Sequence, residues 1–236
     1  MDRPQPEQLL GNQKGRVLLM QAHQQRGISL VEIMIGLAIL GISMAWAMPN
    51  YSVWMQNTQI RNMAESIVQG LQQARSEAIK RNAYVEFVLT NQDPTVANED
   101  TPALGTIGGN NWVSRAIVNN LIDPTDYAFV TGSPSAAGSS NATVQARDSA
   151  LAVDLTTITF NGLGRVAGSP PSSTTNDDGT AFINKICVRS ATLTVAGGAR
   201  IMEIDIAGAG QIRMCDPTVV DATDTRRCIA AAPRCS

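Results

Sequence analysis

The feature that most constrains this chain is an apolar stretch near its N-terminus, residues 28–48. Its 21 residues contain a single charged side chain, Glu32. As a helix, a stretch of this length crosses a hydrocarbon core of about 30 Å, so the sequence predicts a transmembrane helix. A carboxylate within lipid costs about 2.5–3.5 kcal/mol on insertion scales, which makes Glu32 a candidate functional residue. The alternative is an ordinary signal anchor in which Glu32 lies close enough to the interface to remain hydrated.

The residues around Glu32 form a motif with a fixed register. A polar, basic segment ends in Arg26 and Gly27, an apolar Ile28 follows, and Glu32 is the fifth residue after the glycine. This arrangement resembles the type IV pilin and type II secretion pseudopilin superfamily. The resemblance implies that a prepilin peptidase cleaves between Gly27 and Ile28 and methylates the new amine of Ile28, and that Glu32 directs assembly. Ile28-Ser29 stands where Phe-Thr is commoner, but the first residue remains apolar.

Two further positions extend this resemblance. Gly41 and Pro49 stand where such pilins carry a glycine and a proline that make the helix flexible. The resemblance also implies the partners, which are other minor and major pilins or pseudopilins, the prepilin peptidase, the inner-membrane assembly platform and the membrane itself. The expected product is a filament subunit and not an enzyme.

The leader, residues 1–27, carries four basic and two acidic side chains. Positive charge on the N-terminal side of a hydrophobic span keeps that side cytoplasmic. We therefore expect a single-pass protein of the bacterial inner membrane, with its N-terminus inside and its domain in the periplasm, which later enters a pilus or pseudopilus. Met20 is an alternative start that would give a compact basic leader.

Downstream of Pro49 the apolar pattern continues on one face only. Apolar residues step by four and three positions, which predicts an amphipathic helix. They are Ile60, Ala64, Ile67, Leu71, Ala74 and Ala78. The predicted organisation is a cleaved leader at 1–27, a long helix at 28–82 that is transmembrane over 28–48, and a β-rich domain at 83–236.

The last part of the chain consists of short β-rich runs separated by turn residues. It predicts an α+β fold in which the long N-terminal helix packs on an antiparallel β-sheet domain, the pilin fold. The clearest predicted strands are 84–90, 156–160, 182–188, 192–195, 201–206 and 211–215, and Gly208 and Gly210 predict a hairpin turn between the last two. Residues 91–150 are less regular. There we expect short strands near 112–118 and 127–130, with loops elsewhere, and a further loop at 169–179.

The hairpin region carries a second resemblance. Residues 158–166 and 199–216 look like the GspH/FimT branch of the superfamily, whose minor pilins and minor pseudopilins carry two antiparallel sheets on the C-terminal half of the long helix. Some fimbrial members with a Gly-Arg-x-Arg motif near this hairpin bind DNA. The sequence here is Gly210-Gln211-Ile212-Arg213, which keeps the second arginine and lacks the first. This departure argues against DNA binding.

All four cysteines, Cys187, Cys215, Cys228 and Cys235, follow the apolar span. An even number in an oxidising compartment favours two disulfides, and the spacing is not the C-x-x-C of a metal site. If the strands around 182–215 form a meander, Cys187 and Cys215 lie two strands apart, roughly 9.5 Å. A disulfide spans about 7 Å between Cα atoms at most. We therefore expect each of these two residues to pair with a tail cysteine, and free buried thiols are the alternative.

Composition excludes several kinds of active site. The only histidine, His23, lies in the leader, so the remaining chain lacks Ser-His-Asp and Cys-His machinery and a His-ligated metal site. No cofactor is expected. A membrane-anchored periplasmic hydrolase that uses acidic pairs, at 99–100 or 177–178, is the alternative from another class.

The charge balance bears on nucleic-acid binding. From Asn50 onward the chain has 14 Lys and Arg against 17 Asp and Glu, a net charge of −3. Four arginines could converge if the disulfides fold the tail over the sheet: Arg213, Arg226, Arg227 and Arg234. Such a small patch predicts no more than weak, salt-sensitive DNA affinity.

The sequence therefore predicts a minor pilin that helps prime or cap assembly of a type IV pilus. A minor pseudopilin (H-type) of a type II secretion system is the first alternative. A DNA-binding minor pilin for DNA uptake is the second, and the hydrolase described above is the third.

Overall fold

The structure is a computed structural model that describes residues 27–95, 104–118, 126–134, 141–148, 154–167, 183–228 and 234–235. The chain divides into two compact units, Met1–Trp46 and Ala47–Ser236. The elements in chain order are α1 (Leu30–Arg81), β1 (Val85–Thr90), β2 (Asn111–Ile117), β3 (Tyr127–Ser133), β4 (Ala142–Arg147), β5 (Asp154–Leu155), β6 (Thr157–Phe160), β7 (Lys185–Ser190), a 3-10 helix (Val195–Gly197), β8 (Met202–Ile206) and β9 (Ile212–Cys215).

Helix α1 is the longest element, with 52 residues. The predicted apolar stripe along its second half is confirmed, because each of its six residues is at most 1% exposed: Ile60, Ala64, Ile67, Leu71, Ala74 and Ala78. The helix ends where Asn82 adopts a left-handed φ of 49°. Asparagine tolerates the left-handed conformation better than most residues, and a residue in this conformation often follows the last turn of a helix. Lys80 and Arg81 occupy the last turn, next to the negative end of the helix dipole.

The domain contains two antiparallel sheets. The first has the strand order β3-β2-β1-β6 and the second has the order β5-β4-β7-β8-β9. In the second sheet Glu203 of β8 lies opposite both Cys187 of β7 and Cys215 of β9. The predicted meander of these three strands is therefore confirmed. The α+β prediction is confirmed as well, since α1 is followed by an antiparallel β domain.

One hydrophobic core joins the buried stripe of α1 to the inner faces of both sheets. On the first sheet, Phe87 and Trp112 stack with their ring centroids 5.6 Å apart. Gly70 makes room for them, because a Cβ at this position would lie 2.9 Å from both rings. Trp112 also donates a hydrogen bond from Nε1 to the Ser66 hydroxyl at 3.0 Å. The helix is thus held against this sheet by shape and by a specific polar contact.

The β8–β9 hairpin contacts the turn that follows β6. Gly210 has a φ of 80°, and its N–H donates to the Ala207 carbonyl at 2.7 Å. A Cβ on Gly210 would collide with the carbonyl of Gly164 and approach the side chain of Arg75, whose Nε donates to that same carbonyl at 2.8 Å. Both the left-handed backbone and the lack of space therefore require glycine at position 210.

Two segments differ from the sequence-based expectation. The strand predicted at 192–195 is wrong: the Thr194 side chain accepts a hydrogen bond from the Gly197 N–H and caps the 3-10 helix there. Conversely, β4 forms within 91–150, in a part where we expected loops, and its residues alternate between buried and half-buried. The acidic pairs at 99–100 and 177–178, the loop predicted at 169–179 and most of the leader lie outside the described residues.

Candidate assembly segment and disulfide-tied tail

The candidate processing and assembly residues lie at the start of the first unit. Gly27 and Ile28 precede α1, and Ile28 is 72% exposed. Glu32 lies in the first turn of α1, where the N-terminal end of the helix favours a negative charge. The Ser29 carbonyl accepts a hydrogen bond from the Ile33 N–H at 3.2 Å, so helical hydrogen bonding begins directly after Ile28.

The first unit exposes a large apolar surface. Twelve large apolar side chains between residues 28 and 46 are each at least 51% exposed: Ile28, Leu30, Val31, Ile33, Met34, Ile35, Leu37, Ile39, Leu40, Ile42, Met44 and Trp46. Soluble monomers rarely expose apolar patches beyond a few hundred Å². By length and hydropathy alone, no single helix among the described residues meets the criteria for a membrane span, whereas Leu30–Trp46 and Tyr51–Arg81 meet them together.

The two candidate flexibility positions lie inside α1. A Cβ on Gly41 would have no heavy atom within 4 Å apart from the helix's own backbone, so packing does not require glycine there. Pro49 lacks the N–H that would continue the helical hydrogen bonds and falls within the bounds of α1. The assignment of both residues to helix flexibility stays a prediction.

Two disulfides fasten the tail to the second sheet. Cys187 bonds to Cys235 with a Cα–Cα distance of 5.7 Å, and Cys215 bonds to Cys228 with a Cα–Cα distance of 5.0 Å. Each bond joins a sheet cysteine to a tail cysteine, as the strand-order argument predicted. Because β7 and β9 flank β8, the tail is attached on both sides of that strand.

Glu203 lies between the two disulfides and is fully buried. Its Oε2 accepts a hydrogen bond from the Cys235 backbone N–H at 2.7 Å, and its Oε1 lies 3.8 Å from Nζ of the buried Lys185. Removing one partner of such a buried pair leaves an uncompensated charge and is strongly destabilising. Glu203 therefore adds a polar anchor for the end of the tail beside the covalent one.

The tail between Cys215 and Cys228 folds through short aspartate-centred turns. Oδ1 of Asp216 accepts hydrogen bonds from the N–H and the hydroxyl of Thr218, at 2.9 and 2.6 Å. Asp221 repeats this arrangement with Thr223, at 2.8 Å for both bonds. The hydrogen bond from the Thr223 backbone N–H, followed by that from its hydroxyl, lowers the pKa of Asp221. These turns order a polar segment that has little apolar surface to bury.

Arg213, the central residue of the candidate DNA patch, holds this tail in place. Its Nη2 donates to the carbonyls of Thr225 and Arg227, at 3.0 and 3.4 Å. The guanidinium thus satisfies backbone acceptors of the tail, and part of its hydrogen-bonding capacity is no longer available for phosphate.

The other three arginines are also only partly available. Arg226 pairs with Asp224 at 2.6 Å between Nη2 and Oδ2, and this side-chain hydrogen bond, together with the Arg226 backbone N–H, lowers the pKa of Asp224 to about 2. Arg227 and Arg234 are half-buried. The structure brings Arg213, Arg226 and Arg227 together around the tail loop, whereas Arg234 belongs to the segment at the other disulfide.

A cluster of acids and sulfurs was missed by the sequence reasoning. Glu203 and Asp205 alternate along β8 and share a face, and Cys215 lies opposite Glu203. One oxygen or sulfur atom from each of Glu203, Asp205, Cys215 and Cys228 lies within 4.8 Å of the others, an arrangement that could hold a metal ion. In the disulfide form the two sulfurs are bonded to each other. The signal in the sequence was the i, i+2 spacing of two acids on a strand that pairs with a cysteine-bearing strand.

Two family models match this chain, one at its N-terminal apolar segment and one in the β-rich part. A family model described as type II transport protein GspH matches residues 63–210, and one described as a prokaryotic N-terminal methylation motif matches residues 22–48. The first match covers more than half of the chain. It begins in the buried half of α1 and ends at the hairpin glycine, Gly210.

Solved structures give weaker matches. The type IV minor pilin FimU of Pseudomonas aeruginosa (strain PAO1) is 16% identical in two crystal forms. One match covers 68% of this chain and 91% of that chain with a TM-score of 0.35, and the other covers 65% and 90% with a TM-score of 0.33. No curated protein matches the chain.

Proposed function

The chain belongs to the GspH family of minor pilins and pseudopilins, a structural family and not an enzyme class, and we propose that it is a minor pilin that helps prime or cap a type IV pilus. The observation that carries the proposal is the exposed apolar surface of residues 28–46, with Glu32 as its only charge. In the proposed life cycle the prepilin peptidase removes residues 1–27, and the helix at 28–82 carries the domain at 83–236 first in the inner membrane and then in the filament.

The apolar surface explains why such a chain needs two environments. Apolar area exposed to water costs about 25 cal/mol per Å². Lipid covers residues 28–46 before assembly, with the N-terminus on the cytoplasmic side and the domain in the periplasm. The helices of neighbouring pilins cover the same residues afterwards. The assembly platform of the inner membrane would carry out this transfer.

Glu32 has a specific role in this proposal. A carboxylate inside an apolar helix bundle is stable only when it is paired. The partner we propose is the methylated amine of Ile28, exposed by cleavage after Gly27 and supplied by the neighbouring subunit. This pairing would set the axial position of each new subunit.

Processing is tested by intact mass and N-terminal sequencing of the protein purified from its own host. The proposal expects a chain that begins at a methylated Ile28. A chain that retains His23 after export, or one cut beyond Met48, contradicts it.

Assembly is tested with Glu32→Ala, and Glu65→Ala serves as the matched control because Glu65 lies on the same helix in an exposed ion pair with Arg61. We expect Glu32→Ala to remain folded and membrane-anchored but to be depleted from filaments, and Glu65→Ala to enter them normally. Normal entry of the Glu32→Ala variant would reduce Glu32 to an interfacial anchor.

A minor pseudopilin of a type II secretion system is the second candidate, and the description of the matched family as a type II transport protein favours it. Deletion of the gene separates the two. A pilus protein predicts loss of surface pili and twitching with normal exoprotein secretion. The reverse pattern would assign the chain to the secretion system.

A further inference from the structure

We propose that residues 191–200, here called the membrane-facing loop, contact anionic phospholipid headgroups while the chain is anchored in the membrane. The loop packs beside the part of α1 that directly follows the apolar stretch. On that part of the helix Tyr51 and Trp54 are both exposed, and their ring centroids lie 5.8 Å apart. The contact belongs to the membrane-anchored stage of the proposed function and rests on it.

One side chain of α1 holds the membrane-facing loop in place. Nδ2 of Asn57 donates to the Gly198 carbonyl at 3.0 Å, and its Oδ1 accepts from the Arg200 N–H at 2.8 Å. A Cβ on Gly198 would lie 3.2 Å from Cγ1 of Val53. At 1.5 Å per residue, Val53 and Asn57 lie about 7 and 14 Å along the helix from Met48, the last residue of the apolar stretch. The headgroup layer extends roughly 5–8 Å beyond the hydrocarbon core, so the loop lies within reach of it.

The composition of this surface suits an anionic lipid–water boundary. Residues 50–60 and 191–202 contain no acidic side chain. Val195 and Arg200 of the loop are exposed. Arg189 and Arg200 both line a cavity of about 340 Å³, and none of the described residues that line it is acidic. Aromatic side chains favour the membrane interface, and arginines near the surface are attracted to anionic headgroups. An anionic phospholipid surface therefore fits both the apolar and the basic groups.

A second exposed pair of an apolar residue and an arginine provides the matched control. Leu163 is 76% exposed and Arg165 is exposed as well. They flank Gly164, where a Cβ would lie 2.6 Å from Cδ1 of Ile79. Ile79 is about 46 Å along the helix from Met48 at 1.5 Å per residue. This pair therefore has a similar chemistry but lies too far along α1 to reach the headgroups.

The test uses the full oxidised chain inserted in vesicles of phosphatidylcholine, with or without phosphatidylglycerol. Val195→Cys carries a bimane fluorophore, and Leu163→Cys carries the same label as the control. A lipid with a nitroxide on its headgroup quenches any label that touches the membrane surface. Peptide mass verifies that the two native disulfides are retained. We expect quenching of the label at 195 in vesicles that contain phosphatidylglycerol and no quenching of the label at 163 in either vesicle.

Charge variants separate a headgroup contact from ordinary packing. Arg200→Gln should lower the ratio of lipid-contacting to free label at 195 by about fivefold, because it removes one charge near the surface. Arg200→Lys keeps that charge and should retain most of the contact, whereas Arg165→Gln should leave it unchanged. Added salt should weaken the contact, since it screens exposed charges.

Three results would overturn the proposal. The first is equal quenching of the two labels, and the second is quenching at 195 that responds neither to phosphatidylglycerol nor to Arg200→Gln. The third is a change at 195 that follows the density of protein in the vesicle and not the lipid charge, because a neighbouring protein would then cover the loop. If alkaline carbonate removes the chain from the vesicles, the membrane-anchored stage of the proposed function is itself contradicted, and the loop contact falls with it.

Discussion

The two disulfides close chain segments of very different length, which allows their contributions to stability to be ranked. The Cys187–Cys235 bond spans 48 residues and the Cys215–Cys228 bond spans 13. In the chain-entropy account, a cross-link stabilises by restricting the unfolded chain, more strongly for longer loops. That account gives about 4 kcal/mol for the 48-residue loop and about 3 kcal/mol for the 13-residue loop.

A hydrogen bond made by Cys235 should increase this difference in stability between the two disulfide variants. Loss of the Cys187–Cys235 bond also loosens the Cys235 N–H that donates to Glu203 at 2.7 Å. A buried acceptor that loses its donor costs about 1–3 kcal/mol. Cys187→Ala/Cys235→Ala should therefore destabilise the domain by about 4 kcal/mol plus this amount, whereas Cys215→Ala/Cys228→Ala should cost about 3 kcal/mol.

Urea unfolding of the full chain in one detergent, followed by near-ultraviolet circular dichroism, measures both variants against the wild type. We expect the lowest unfolding midpoint for Cys187→Ala/Cys235→Ala. Glu203→Gln in that background should then cost less than it does in the wild type, because its tail donor is already lost. If the Cys215→Ala/Cys228→Ala variant is the less stable of the two, loop length and the Glu203 contact do not govern these bonds.

Four further perturbations test other parts of the structure. Gly210→Ala should destabilise the domain by about 1–3 kcal/mol through its left-handed backbone, whereas Gly208→Ala, whose Cβ meets nothing within 4 Å, should be nearly neutral in the same thermal melt. Ile67→Ala should cost about 2–5 kcal/mol at a fully buried site, with exposed Gln69→Ala as its control. Arg213→Ala should speed proteolysis within 216–227 and leave DNA retention at about 150 mM salt as weak as in the wild type; tight DNA binding that this variant abolishes would contradict our interpretation. The pKa of Asp224, about 2 in the folded chain, lies below its unfolded value, so its contribution is present above about pH 4 and is lost as the pH falls through 2; an NMR titration should show this pKa rising toward its usual value in Arg226→Ala.

Hydrophobic periodicity was sufficient to predict which face of the helix is buried, because apolar residues recur along one side of it. The stripe from Ile60 to Ala78 follows from the step of three and four, and all of it is buried. The strand order around Cys187 and Cys215 was assumed to be a meander, and the observed order β7-β8-β9 agrees with that assumption. A distance argument then predicted that Cys187 and Cys215 each pair with a tail cysteine, but it did not predict which tail cysteine each one takes.

Local composition predicted the wrong secondary structure where backbone hydrogen bonds outweigh β-propensity. Residues 192–195 contain Thr, Leu and Val and read as a strand, yet Thr194 uses its hydroxyl to cap a turn. Strand β4, from Ala142 to Arg147, alternates apolar and polar residues, a period-two pattern that is typical of a half-buried strand and that our prediction of loops there overlooked. Its pairing with β7 is a tertiary contact that the sequence of β4 alone does not reveal.

The cluster of Glu203, Asp205, Cys215 and Cys228 could not be predicted from the sequence for a different reason. Sequence spacing between Cys215 and Cys228 is too wide for a local metal motif, and Glu203 and Asp205 read as ordinary strand residues. Only the β8–β9 register brings them to one place. A stretch of sequence that covers a single strand cannot predict this cluster, because its members come from two strands and from the tail.

The disulfide between Cys187 and Cys235 also sets how far this protein can be stretched. Fully extended, its 48-residue segment would reach roughly 160–170 Å. While the bond is intact, this segment cannot extend when the two ends of the chain are pulled apart. A single-molecule force trace of the oxidised protein should therefore be shorter than that of the reduced protein by about this length.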